Sequence, residues 1–164
     1  HVQGPEEEIV KVKPGMDPLG ATYSYVEPSG FTNMIIGTED LPHTFCTIYP
    51  TCTVFDWPKV EKEVIPALIE GTKSEKGCLH YGFTLNKEDN LLICREAYVD
   101  GDALNIHLGN ALPILSPALE AGLMKLESMI ITGPADQLAI AKEAGDALGA
   151  VFQETLVGFS RFTV

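Results

Sequence analysis

Hydrophobic positions along the chain change period several times, and each change marks an element. Over 44–55 they alternate, with Phe45, Thr47 and Tyr49 on one side and Cys46, Ile48 and Pro50 on the other, which predicts a strand. Pro50 removes one ladder hydrogen bond, so a bulge or an edge position is expected there. Asp56-Trp57-Pro58 has the form of a helix start, with Asp56 as N-cap and proline in the first turn. Val60, Val64, Leu68 and Ile69 continue at helical spacing, and Pro66 predicts a kink or a local adjustment. Two runs over 78–85 and 91–99, rich in aromatic, β-branched and aliphatic residues, flank the polar stretch Asn86-Lys87-Glu88-Asp89-Asn90 and read as a β-hairpin.

Beyond the hairpin, Asp100-Gly101-Asp102 caps a second helix whose face carries Leu104, His107, Leu108 and Ala111. Pro113 is expected to break it, and Ser116-Pro117 to start a further turn that lasts to Gly122. A strand over 123–132, stopped by Gly133-Pro134, and a helix over 135–148 follow, with Gly149 as its C′ residue. Residues 151–164, including Val157 to Phe162, read as one or two extended pieces.

The order from residue 44 is therefore β-α-β-β-α-β and then α-β. That is an α+β, ferredoxin-like arrangement: an antiparallel sheet with helices on one face, and a helix-strand appendage over 134–164. The bare face of such a sheet needs cover, and a second copy of the chain or a similar domain is the expected solution. Residues 1–43 show no helical period. They hold five of the eleven prolines and seven acidic residues against two lysines. They read as an extended, Pro-rich arm that packs on the domain or on a neighbour. Within it Ile9 to Lys13 forms a short strand, Glu6-Glu7-Glu8 is a solvated run, and Phe31 to Ile36 is a short apolar run.

Composition narrows the partners. With 164 residues and 45% hydrophobic content, the chain has enough material for a buried core. A formal net charge of −12 argues against nucleic acid and against an anionic membrane surface. No apolar run reaches the length of a membrane span. The chain begins at His1, which suggests a processed or trimmed product and leaves the compartment open. Cys46, Cys52, Cys78 and Cys94 form no Cys-x-x-Cys pair and lie in predicted strands, where buried free thiols are expected. The His residues have no metal-ligand spacing, and no phosphate-binding glycine loop is present, so neither metal nor cofactor is expected.

Two stretches carry a family resemblance. Lys76-Gly77-Cys78-Leu79-His80-Tyr81 resembles the approach to the second strand in antibiotic biosynthesis monooxygenase-like (ABM) domains. Arg95-Glu96-Ala97-Tyr98-Val99-Asp100, followed by Ala103 and His107, resembles the motif that leads into their second helix. The resemblance covers about 45–131. It implies a dimeric α/β barrel, and either a cofactor-independent monooxygenase acting on aromatic polyketides or quinols or a domain of no known activity. The heme-degrading branch is resembled least. Its first-strand asparagine falls at Pro50, and its helix tryptophan and histidine fall at His107 and near Pro117.

His107 is the leading candidate for chemistry. An imidazole with an ordinary pKa of about 6.5 suits a general base towards a phenol, and the competing reading is a core histidine bonded to Glu96 or a carbonyl. Glu96 would orient His107 or pair with Arg95, and Tyr98, on the same strand face, would donate to a substrate oxygen. Tyr81 reads as core, dimer interface or pocket wall, and Trp57 as a pocket wall or a staple over the helix start. His80 points away from Tyr81, and His43, Asn105 and Asn110 read as surface residues. The function expected is binding, with cofactor-free oxygenation as the chemistry allowed, of a small aromatic or quinone-like molecule between the sheet and the second helix. The alternative is a non-catalytic accessory or scaffold subunit of a larger protein assembly, which grips its partner through residues 1–43.

Overall fold

Alternation along each strand sorts side chains onto two faces, and the apolar set defines where the core lies. A computed structural model of the chain describes residues 2–19, 21, 23–32 and 44–156. Its strands are β1 (Val2–Gly4), β2 (Tyr23–Thr32), β3 (Cys46–Val54), β4 (Cys78–Asn86), β5 (Leu91–Tyr98), β6 (Met124–Gly133) and β7 (Val151–Glu154). They form one sheet in the order β1-β2-β4-β5-β3-β6-β7. The inner four, β4-β5-β3-β6, are antiparallel and have the ferredoxin-like order, while β1–β2 and β6–β7 are parallel pairs.

The inward side chains Cys46, Ile48, Cys52 and Val54 of β3, Tyr81, Phe83 and Leu85 of β4, and Leu92, Cys94 and Tyr98 of β5 are all buried in one cluster. Helices cover this face: α2 (Trp57–Lys59), a π-helical turn (Val60–Val64), α3 (Ile65–Thr72), α4 (Gly101–Glu120) and α5 (Ala135–Ala147). They add Val60, Val64, Ile65 and Leu68 from the first rod, Leu104 and Leu108 from α4, and Leu138 and Ala141 from α5.

Three prolines behave differently from simple expectation. Pro50 lies not at an edge but in the centre of the sheet, opposite Met129. The expected bulge sits next to it, where the β3–β6 register shifts between Thr51 and Cys52. Pro66 produces no sharp break, because the π turn precedes it and Ile65 N–H donates to the Val60 carbonyl, five residues back. That widening makes room for a ring that would otherwise meet the carbonyl of Lys62. Pro113, expected to end the second helix, lies inside α4, which runs on to Glu120. Gly109, Pro113 and Pro117 are all exposed, so the carbonyls left without an N–H partner face water and the helix continues.

The region expected as an extended arm also differs. Residues 9–13 are not a strand; they belong to the helix α1 (Glu6–Met16), with Pro5 as N-cap residue and Glu6-Glu7-Glu8 in the first turn. Three carboxylates there complement the positive end of the helix dipole. Strand β2 pairs with β4, so the described part of the arm extends the domain's own sheet. The expectations for 33–36, His43 and 157–162 lie outside the described residues.

Candidate functional site

The site begins with what fixes α4. Asp100 caps it, its carboxylate accepting from the Ala103 N–H at 2.8 Å. Gly77 allows the start of β4 to approach closely, since a Cβ there would collide with that of Ala103. With the first turn held, His107 lies nearly two turns on and points at the sheet, where it is buried. Strand alternation brings Cys94, Glu96 and Tyr98 of β5 to the same face, and Tyr81 comes from the neighbouring β4.

His107 is held at both nitrogens. Nδ1 lies 2.9 Å from Glu75 Oε2, and Nε2 lies 3.2 Å from Glu96 Oε2. The Tyr98 hydroxyl donates to the same Glu96 oxygen at 2.8 Å. Asn110, one turn beyond His107 on α4, donates its amide to Glu75 Oε1 at 3.0 Å. The rings of Tyr81 and Tyr98 stand 5.3 and 5.2 Å from the imidazole ring, tilted against it. Glu75, Glu96 and His107 are each more than nine-tenths buried.

The electrostatics follow from this arrangement. Burial pushes the His107 imidazole towards its neutral form. The Glu96 charge, the hydrogen bonds to Glu75 and Glu96 and the Glu75 charge outweigh it, and the pKa rises to about 9. The two carboxylates thus favour the protonated imidazole, whereas the general-base role expected for His107 uses the neutral ring. Burial first, and then the Glu96 charge, also raise the Tyr98 hydroxyl far above its usual range. Burial first, and then the Glu96 charge, likewise raise the Cys94 thiol.

A cavity lies between the sheet and the helices, touching this network. Its wall includes Ile48, Pro50 and Cys52 of β3, Tyr81 and Phe83 of β4, Leu92, Cys94 and Glu96 of β5, and Met124 and Met129 of β6. Val64, Ile65 and Leu68 close it on one side, and His107, Leu108, Ala111, Leu112 and Leu115 of α4 on another. Only about 60 Å³ can hold the centre of a water molecule, so the void is narrow. The wall is mostly apolar, and Glu96 and His107 are its charged groups.

The structure thus brings together three of the five residues expected to form the site: His107, Glu96 and Tyr81. Tyr98 belongs to the network but not to the cavity wall, and its hydroxyl is committed to Glu96 instead of a ligand. Trp57 is not at the cavity. Its indole donates to Asn90 Oδ1 at 3.2 Å, with Lys87 Nζ 5.7 Å from the ring centroid, over the helix start. Glu96 pairs with His107 and not with Arg95, which faces the other side of the sheet. Glu75 was not foreseen; Lys73-Ser74-Glu75-Lys76 has the composition of a solvated turn, and nothing local marks one carboxylate as buried. Asn110, read as a surface amide, is exposed yet bonded to Glu75. All four cysteines are buried and none forms a disulfide, and burial pushes Cys46 up to about 11 and Cys52 and Cys78 to about 12. Among the described residues no group of His, Cys, Asp or Glu is arranged to hold a metal ion. No helix among them is long and apolar enough to cross a membrane.

Similar folds occur among solved structures. MupZ from Pseudomonas fluorescens is 29% identical in sequence, with a TM-score of 0.63, over 71% of this chain and 94% of that one. A conserved protein from Methanosarcina mazei Go1 is 23% identical, with a TM-score of 0.43, over 54% of this chain and 91% of that one. A protein from Chloroflexus aurantiacus J-10-fl, provisionally named an antibiotic biosynthesis monooxygenase, is 22% identical, with a TM-score of 0.41, over 56% of this chain and 93% of that one. No protein-family model matches the chain. No curated protein matches it either.

Proposed function

We propose that this protein binds a small, mostly apolar molecule in the cavity and performs cofactor-independent acid–base chemistry on it. One observation carries the reading: Glu96 and His107, an ion pair 3.2 Å apart, meet in the wall of an otherwise apolar cavity. A pocket of that kind orients a ligand through its single polar end. The carboxylate accepts a proton and the imidazolium holds the oxygen that becomes negative, in a setting where water competes little.

The finer form of the proposal follows the family resemblance. The ligand is an aromatic or quinol-like molecule, and the reaction is its oxygenation by dioxygen. Glu96 takes the phenolic proton, His107 stabilises the phenolate, and Tyr81 packs against the ring. The base is thus Glu96, and His107 is the acidic partner. A homodimer is part of the same proposal, formed through the sheet face that carries Tyr49 and Arg95. That face is opposite the helices, and it presents an Arg95 Nε that is buried without a hydrogen-bond partner. The alternative, a scaffold subunit gripping its partner through residues 1–43, gains no support among the described residues, where β1 and β2 join the domain's own sheet.

The test is oxygen uptake by the purified protein with dihydroxy-aromatic compounds, alongside equilibrium binding. Glu96→Gln is expected to lower turnover by about 10²–10⁴-fold, the usual scale of general acid–base catalysis, with binding retained. Ala111→Phe, which fills the cavity, is expected to abolish binding. Binding that survives Ala111→Phe would place the ligand elsewhere and sink the proposal.

A further inference from the structure

A chain of three polar contacts runs from the cavity wall to the protein surface. Glu96 lines the cavity, His107 follows at 3.2 Å, Glu75 at 2.9 Å and the exposed Asn110 at 3.0 Å. Glu75 itself does not line the cavity. Its backbone is pinned in the turn after α3: its N–H donates to the Thr72 carbonyl at 2.9 Å, and its carbonyl accepts from Cys78 N–H at 3.1 Å. Its two carboxylate oxygens are then gripped separately, Oε2 by His107 and Oε1 by Asn110. These lie three residues apart and so share one face of α4. A buried carboxylate gripped at both oxygens is a costly feature, and packing does not require it.

We infer that Glu75 is a positioning residue, which holds His107 through Nδ1 so that Nε2 faces Glu96 at the cavity wall. The inference rests on the acid–base reading of the cavity and extends it. With the Nδ1 proton held by Glu75, His107 gives its Nε2 proton to the ligand oxygen that becomes negative, and the vacated Nε2 takes back the proton that Glu96 received from the ligand. The ligand loses one proton and regains one, and the imidazolium is restored with Glu75 unchanged. The groups facing His107 are Glu75 from the turn, Glu96 and Tyr98 from β5, and Tyr81 from β4; Cys78 stands close to both carboxylates. The raised pKa of His107 agrees with the two-sided grip.

The test separates this inference from the reading beneath it. Nitrogen NMR of His107 in the resting full-length protein needs no substrate. In the wild type both ring nitrogens are expected to stay protonated through pH 8. In Glu75→Gln the midpoint is expected to fall by about 1–3 pH units, the usual effect of losing one close opposite charge. Asn110→Ala, a milder change, is expected to shift it in the same direction. An unmoved midpoint in both variants overturns the inference, whatever the protein catalyses. With an active substrate, Glu75→Gln is expected to lower kcat by about 10–100-fold with KM unchanged, the scale on which partners behind a reacting group act. Glu75→Asp is expected to restore part of the loss. An unchanged kcat in Glu75→Gln overturns the role of that positioning in turnover. A shifted midpoint in a protein that turns over none of the test compounds supports the positioning role and overturns the acid–base reading.

Discussion

His107 sits between two carboxylates, and that single residue governs both charge and stability. Its unfolded pKa is about 6.5 and its folded value about 9, so the folded state binds the proton more tightly. The resulting stabilisation is fully present below about pH 6.5 and is lost as the pH rises through about 9. Urea midpoints measured from pH 6 to 10 are expected to fall across that window, and the fall is expected to vanish in His107→Gln. His107→Ala removes the cation and leaves Glu75 and Glu96 facing each other without it. Breaking a buried pair in this way costs about 3–5 kcal/mol, so the variant is expected to be visibly destabilised in the same urea assay. Loss of turnover in His107→Ala would therefore say little about catalysis unless stability is measured beside it. At this scale the sequence was half legible. Helical spacing put His107 on an apolar face, and period two put Glu96 and Tyr98 on one side of a strand. Neither pattern carries tertiary distance, so Glu75, in a turn of charged residues, gave no sign of reaching His107. The His107 pKa could not be read for the same reason, because it depends on charges from two other elements.

The helices and strands show where local rules prevail and where surroundings override them. Asp56 and Asp100 cap the helices their positions announce, accepting from Lys59 and Ala103 N–H groups. Strand alternation located β3, β4, β5 and β6 to within a residue or two. The prolines misled because the rule concerns a freed carbonyl and a clash, and both have remedies: water on the exposed side of α4, and a wider turn before α3. In α1 the alternation of Ile9, Val10 and Val12 with lysines imitates a strand, while the acidic first turn and the burial of Ile9 belong to a helix. The contact between α4 and α5 has its own weak point. A Cβ at Gly101 would run into the Gln137 carbonyl, a backbone atom with little freedom to move. Gly101→Ala is expected to destabilise the protein by about 1–3 kcal/mol, the range for overpacking, as read from denaturant unfolding.

On the scale of the whole molecule, the ferredoxin-like core was legible because its element order is set by hydrophobic period alone. The two outer additions were not equally so. The α5–β7 unit repeats a familiar strand-helix-strand pattern, whereas β1 and β2 lie in a Pro-rich segment whose pairing depends on the edge of β4. That edge is the reason for a prediction. Removing residues 1–32 strips β2 from β4 and exposes a nine-residue strand whose side chains include Leu79, Tyr81, Phe83 and Leu85. Open strands of that kind template further pairing. Size-exclusion chromatography is expected to show larger species than the full-length chain forms, and an unchanged profile would mean that β4 is protected without β2.

The cavity is walled by the same side chains that form the core: Ile48, Cys52, Val64, Leu68, Phe83 and Leu92 serve both. Holding a ligand and holding the fold are then one physical act. A bound molecule supplies contacts that the empty void lacks, and at a hundredfold excess over its dissociation constant it stabilises the folded state by about 2.7 kcal/mol. The melting temperature thus becomes a reporter of the natural ligand that presupposes no reaction at all. A metabolite extract, fractionated against the unfolding transition, lets the protein itself choose the compound that completes its interior.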